Sequence, residues 1–343
     1  MVSALVALSV GCGNGGPRAS VDEAMQSALA SALQAKGRDA VTALRGLDPD
    51  GLEERSAATR ACMLERLGER KAPAIPLTDR FLAGTLAAYR EYWRRSLLEE
   101  RPPAENEATL LSSLNGLVRE VGGDTAASLD ELEPGLERLV GARGYHVLLG
   151  MTQPLRELML WKTEAESRYD VKLPEGTQAV TVVFMDDFAS LGWAGFATCD
   201  RHHTGGWTKP DRLYAVRSAY DTTSENFRVS YLAHEAQHFA DNRRFPGLDR
   251  QEELEYRAKL VELVVATTSV HDLLETFTRN VGDDVSVPHS YANGQVVRHL
   301  GQRLFPGSTG TPAWRAASRE RINTAAADLL REDSARLKGS AGA

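Results

Sequence analysis

The sequence predicts an α+β protein in which a long helical stretch is followed by a few strands and then by a second run of helices. Three observations carry this expectation. Apolar residues recur at helical spacing from Val21 to about Leu148. β-Branched residues concentrate in Gln178 to Phe184, just after the turn-forming Pro174-Glu175-Gly176. Helical spacing then returns from Ser224 onwards. Strands and helices segregated in this way point to α+β architecture rather than to alternating βαβ units.

The first helical pattern runs through Met25, Leu29, Ala32 and Leu33, and a later one through Phe81, Leu82, Leu86, Tyr89 and Trp93. Turn-forming clusters divide the stretch at Asp48-Pro49-Asp50-Gly51, Pro73 to Pro76, Pro102-Pro103, Gly122-Gly123 and Gly141 to Gly144. Four to six helices are expected there, with no chemical motif among them. Beyond Pro174, strands are expected over Gln178 to Phe184, Gly192 to Thr198 and Arg212 to Ser218. His202, His203, Gly205 and Gly206 fall in the loop between the last two. Three helical patterns follow, Ser224 to Arg244, Gln251 to Arg279 and His289 to Phe305, with a last helix from Trp314 to Leu337. The chain thus divides into a leader and tether (1–20), a helical region of no assigned role (21–150) and a domain that carries the chemistry (151–343).

Composition bounds the function. The 343 residues are 42% hydrophobic and 25% charged, as in an ordinary folded chain. A net charge of -7 argues against nucleic acid as a partner, because phosphate binding needs a concentrated basic field. No apolar stretch approaches the roughly 18 residues of a membrane-spanning helix.

Met1 to Gly11 is almost wholly small and apolar and stops at Cys12, before Gly13-Asn14-Gly15-Gly16-Pro17. It resembles a bacterial lipoprotein signal that ends in a lipobox, here Ser9-Val10-Gly11-Cys12. Ser9 stands where a large aliphatic residue is usual, and no Lys or Arg precedes the apolar run. The resemblance implies export, lipidation of Cys12, and a cell-envelope location with membrane contact only through that anchor. Gly13 to Ser20 reads as the tether. Cys62 and Cys199 then remain, either as a disulfide or as two buried thiols.

Residues 231–241 read Tyr-Leu-Ala-His-Glu-Ala-Gln-His-Phe-Ala-Asp and contain the H-E-x-x-H spacing, His234-Glu235-x-x-His238. Residues four apart on a helix differ by about 40° in direction and about 6 Å in height. Two imidazoles so placed can converge on one zinc ion at bonds of roughly 2.0–2.1 Å. Glu235 points about 100° away, towards a water in the open coordination position, and is the candidate catalytic base. Thr222-x-x-Glu225 fits a capping box that would start this helix, and Pro246-Gly247 would end it. Asp241, seven residues after His234, could accept a hydrogen bond from a ligand imidazole.

The motif resembles that of zincin-type metallopeptidases, and the acidic stretch Gln251 to Glu262 resembles the gluzincin arrangement, in which a glutamate on the next helix completes the site. The resemblance covers Thr222 to Glu262. It implies Glu255 as third zinc ligand, with Glu262 as the alternative and Glu252 or Glu253 behind them. It also implies an active-site helix under a small twisted sheet, with an edge strand near Gly192 to Trp207 that aligns an extended peptide. Zincins usually carry an oxyanion donor opposite the metal, for which Tyr291, His289 and Tyr256 are candidates. The expected activity is zinc-dependent hydrolysis of a peptide or protein substrate. The same sequence also fits a non-catalytic, zinc-binding envelope lipoprotein that uses this scaffold for binding.

Overall fold

The computed structural model describes residues 4–6, 17–99, 101–308, 310 and 312–340. Six α-helices lie between Pro17 and Gly141: α1 (Pro17–Leu33), α2 (Gly37–Arg45), α3 (Glu54–Met63), α4 (Arg80–Leu98), α5 (Pro103–Glu120) and α6 (Leu129–Gly141). Every break from α2 onwards falls at a turn that the sequence predicts. Asp79 caps α4 by accepting the Leu82 N–H, and Ser128 caps α6 by accepting that of Glu131. Cys12, the expected lipidation site, lies outside the described residues. The tether differs from expectation at its end, because α1 already begins at Pro17, where a proline costs no helical hydrogen bond.

The strands are β1 (Ala4–Val6), β2 (His146–Thr152), β3 (Leu155–Trp161), β4 (Thr163–Leu173), β5 (Gly176–Asp186), β6 (Ser190–Leu191), β7 (Thr204–Lys209) and β8 (Arg212–Val216). They form a five-stranded sheet in the order β1-β7-β8-β5-β4 and a three-stranded sheet in the order β2-β3-β6. β5 and β8 stand where expected. β2 to β4 were not expected: the antiparallel hairpin pairs His146 with Trp161 and Thr152 with Leu155, and only its start, to about Leu148, falls in the stretch read as helical by apolar spacing. A second correction concerns Gly192–Thr198, which is a helix, α7, rather than a strand. A third concerns the His202-His203 loop, which gives way to β7 at Thr204.

The chain forms two compact units. Unit 1 holds Met1–Ala165, Phe184–Trp207 and Ala215–Arg217, and unit 2 holds Glu166–Val183, Thr208–Tyr214 and Ser218–Ala343. In unit 1 the buried faces of α1, α2, α4, α5 and α6 share one core with β3 and α7, with Trp93 packed on Phe196 at 5.6 Å between ring centres. Trp93 Nε1 donates to the Arg156 carbonyl and Trp193 Nε1 to that of Thr152, so both buried indoles are satisfied. Cys62 and Cys199 form a disulfide within this unit.

Glu157 explains why α7 is helical. Its buried carboxylate accepts the N–H groups of Leu158 at 3.0 Å and of Trp193 at 2.9 Å, the latter on the first turn of α7. Gly192 has φ +86°, and a side chain there would collide with that carboxylate. Burial pushes the Glu157 carboxyl up to about 7, against those hydrogen bonds, from an unfolded value near 4.5. Between these values the folded chain keeps a proton that the unfolded chain has released. The associated stability is therefore full below pH 4.5 and is lost as pH rises to about 7, a difference of about 3 kcal/mol.

Tryptophan fluorescence can follow this, since Trp93, Trp161, Trp193 and Trp207 lie in unit 1 and Trp314 alone in unit 2. The urea midpoint is expected to fall between about pH 5 and about pH 7.5, and Glu157→Gln is expected to flatten that fall. An unchanged slope in the variant would remove Glu157 as its source.

Unit 2 carries a π-helical turn, Phe227–Ala233, that leads into α8 (His234–Arg244), then α9 (Gln251–Val265), α10 (Val270–Arg279), α11 (Pro288–Leu304) and α12 (Arg319–Ser340). The pattern read as one helix from Gln251 to Arg279 is two. Glu225 accounts for the break: its carboxylate accepts the N–H groups of Thr268 at 2.9 Å and Ser269 at 3.0 Å, at the entry to α10. Glu225 is therefore not half of a capping box on its own helix, where Ser224 Oγ accepts the Phe227 N–H instead. α9 is the central element. From Glu253 to Leu263 it is buried on every side, with Leu260, Val261 and Leu263 in one core with Val296 and Leu300 of α11 and Ile322 and Leu330 of α12.

Candidate metal centre

The centre lies wholly in unit 2 and is built on the α8–α9 hairpin. Gly247, at φ +92°, supplies the left-handed residue in the turn between the helices. The chain then returns so that Glu255 faces the His234–His238 pair. The two Nε2 atoms stand 3.1 Å apart. Glu255 Oε2 lies 3.3 Å from His234 Nε2, and Oε1 lies 3.4 Å from His238 Nε2. One ligand atom from each residue lies within 4.8 Å of the others, so the three could hold a metal ion. Among the described residues no other group of His, Cys, Asp and Glu side chains converges in this way.

The donor set fits a divalent first-row metal: two imidazole nitrogens and one carboxylate oxygen, all on rigid helices. Glu255 Oε2 is buried and makes no aligned hydrogen bond to protein. His238 keeps 16% of its side chain exposed against 2% for His234 and 6% for Glu255, so solvent reaches the group from the His238 side.

Glu262 takes the outer position. Its Oε1 lies 2.8 Å from His234 Nδ1, which leaves Nε2 facing Glu255. The residue weighed as an alternative ligand thus supports a ligand. Asp241, expected to hold an imidazole, does not. It binds the Arg257 guanidinium through both oxygens at 2.9 Å, because a buried carboxylate gains more from a cation with a forked geometry than from a neutral ring.

The charges of this cluster are strongly coupled. Burial by itself would lower the His234 pKa, but the Glu255 charge and the bonds to Glu255 and Glu262 outweigh it and raise it to about 10. Burial raises Glu255, yet the His234 charge and bonds to the histidines hold it well below the usual carboxylate range. The raised His234 pKa favours an imidazolium between two carboxylates, whose proton a divalent cation would have to displace.

Glu235 is buried but stands outside the converging atoms. Its Oε2 accepts a hydrogen bond from Thr208 Oγ1 of β7 at 2.5 Å. Burial and then the Glu235 charge push the Tyr220 hydroxyl pKa up, so this phenol stays protonated. His289, on the first turn of α11, brings Nδ1 to 2.7 Å from Glu255 Oε2. Tyr291 is half-buried one half-turn further, and its hydroxyl makes no hydrogen bond among the described residues. Tyr256 bonds His299 at 2.9 Å, so its hydroxyl is engaged there. Thr208 carried no signal in the sequence, since a strand threonine 27 residues from its partner matches no local motif.

No family model, no curated protein and no solved structure matches this chain.

Proposed function

We propose that the protein is a zinc-dependent metallopeptidase of zincin type, hydrolysing peptide bonds of a peptide or protein substrate. The observation that carries this reading is the convergence of His234, His238 and Glu255 beside a buried carboxylate, Glu235, that is not part of the ligand set. Three protein ligands leave one coordination position open, the arrangement of catalytic rather than structural zinc. Zinc, when bound, would supply Lewis-acid polarisation of a water and of the scissile carbonyl. His234, His238 and Glu255 would hold the ion, and Glu262 fixes the His234 ring. Thr208 occupies Glu235 Oε2, which leaves Oε1 to take the proton of the attacking water and to pass it to the leaving amine. The Cys62–Cys199 disulfide supports export to an oxidising compartment, in line with a lipid anchor on Cys12.

Chelator treatment followed by zinc is expected to abolish and then restore hydrolysis of a mixed peptide library. His234→Ala, His238→Ala and Glu255→Ala should each bring bound zinc close to zero, because three ligands leave little redundancy. Stoichiometric zinc in Glu255→Ala would sink the ligand assignment, and zinc binding without turnover in the native chain would sink the peptidase reading.

A further inference from the structure

Glu255 turns both carboxylate oxygens to the histidine pair, Oε2 to His234 and Oε1 to His238, and Oε2 is buried and without an aligned hydrogen bond. A buried carboxylate oxygen so placed costs free energy unless a donor meets it. The nitrogen closest to hand is Nδ1 of His289, 2.7 Å away. His289 belongs to neither helix of the hairpin. It sits at the N-terminal end of α11, fixed in sequence by Pro288 and in space by the Gly282 N–H bond to the Ser290 carbonyl and the Asn293 Nδ2 bond to that of Asn280. Its ring stacks at 27° to that of His234, with 6.4 Å between centres, and 41% of its side chain remains exposed. It stands outside the three residues whose ligand atoms converge. A histidine in direct contact with the carboxylate, yet outside the converging set, is placed to act on the ligand rather than on the ion.

We propose that His289 is the positioning residue of Glu255: it donates Nδ1–H to the carboxylate oxygen that the metal does not use, and so sets Glu255 to bind through a single oxygen. This rests on the metal-centre reading above. It makes zinc affinity depend on a third helix, which carries no ligand itself. It also fixes the His289 tautomer, with Nε2 turned away from Glu255.

The test is zinc affinity by chelator competition on the full-length chain, without recourse to activity. His289→Ala is expected to weaken zinc binding roughly 10–100-fold, the range for loss of a hydrogen bond that orients a ligand. His289→Asn, whose amide N–H can stand where Nδ1–H stood, should return affinity to within about threefold of the native chain. His289→Gln, which places its amide at the other ring nitrogen, should behave as Ala. Circular dichroism spectra of the metal-free variants should match the native one, which separates lost affinity from lost folding. Equal affinity in the native chain and His289→Ala overturns the proposal, as does an Asn variant no better than Ala. A native chain that binds no zinc would instead overturn the metal centre itself.

Discussion

Glu235→Gln is expected to lower peptide hydrolysis by about 10²–10⁴-fold, equivalent to about 3–5 kcal/mol of barrier, with bound zinc unchanged. The side chain is buried, one oxygen is held by Thr208, and neither oxygen belongs to the ligand set. The amide keeps the shape and can still accept the Thr208 hydrogen bond, but it cannot accept a proton at neutral pH. Binding and positioning of substrate therefore survive while the proton transfer is lost. Metal analysis and hydrolysis assays on both chains side by side decide the matter. Equal turnover at equal zinc would exclude Glu235 as the base, and loss of zinc would make it a structural support of the ligands.

Arg257→Met should cost about 3–5 kcal/mol of unit 2 stability. The guanidinium is fully buried and binds Asp241 through two hydrogen bonds at 2.9 Å, Asp333 at 2.9 Å and Glu175 at 3.2 Å. Its carbon also stands 4.9 Å from the centre of the Phe245 ring. Asp333 and Glu175 retain Arg336 and Arg244 when Arg257 is removed. Asp241 retains the neutral Gln237 amide at 2.8 Å, so a buried charge is left without a cation. Asp241 lies on α8, three residues beyond His238, and Arg257 lies on α9, two beyond Glu255. The variant should therefore lose zinc affinity along with stability. Asp241→Asn combined with Arg257→Met should cost less than the sum of the two single changes by at least about 1 kcal/mol, since the double change removes the orphaned charge. Urea denaturation followed by circular dichroism provides the measure. A cost below about 1 kcal/mol for Arg257→Met would show that the network is not what joins α8 to α9.

The sequence by itself determined the features that depend on spacing along one element. Four to six N-terminal helices follow from apolar periodicity interrupted by Pro and Gly clusters, of which the structure has six, and His234 and His238 face one point because residues four apart share a helix face. Glu255 came within reach because a turn at Pro246-Gly247 folds α9 back on α8. Even β4 was legible in principle: from Arg168 to Leu173, charged and apolar residues alternate with the period of a strand.

Tertiary structure decided the rest. Gly192–Thr198 is helical because a carboxylate 36 residues away meets its first turn. The helix after α9 restarts because Glu225, from before the motif, caps it. Glu262 took the role weighed for Asp241: Arg257 takes Asp241 in a buried, forked ion pair, and Glu262 supplies the acceptor that His234 Nδ1 requires. Thr208 and His289 joined the centre from β7 and α11. The physical reason is common to all of these. Local spacing sets which way a side chain points, but the partner of a buried charge is chosen by competition among every group that folding brings within reach, and that competition has no trace in the spacing of residues along the chain.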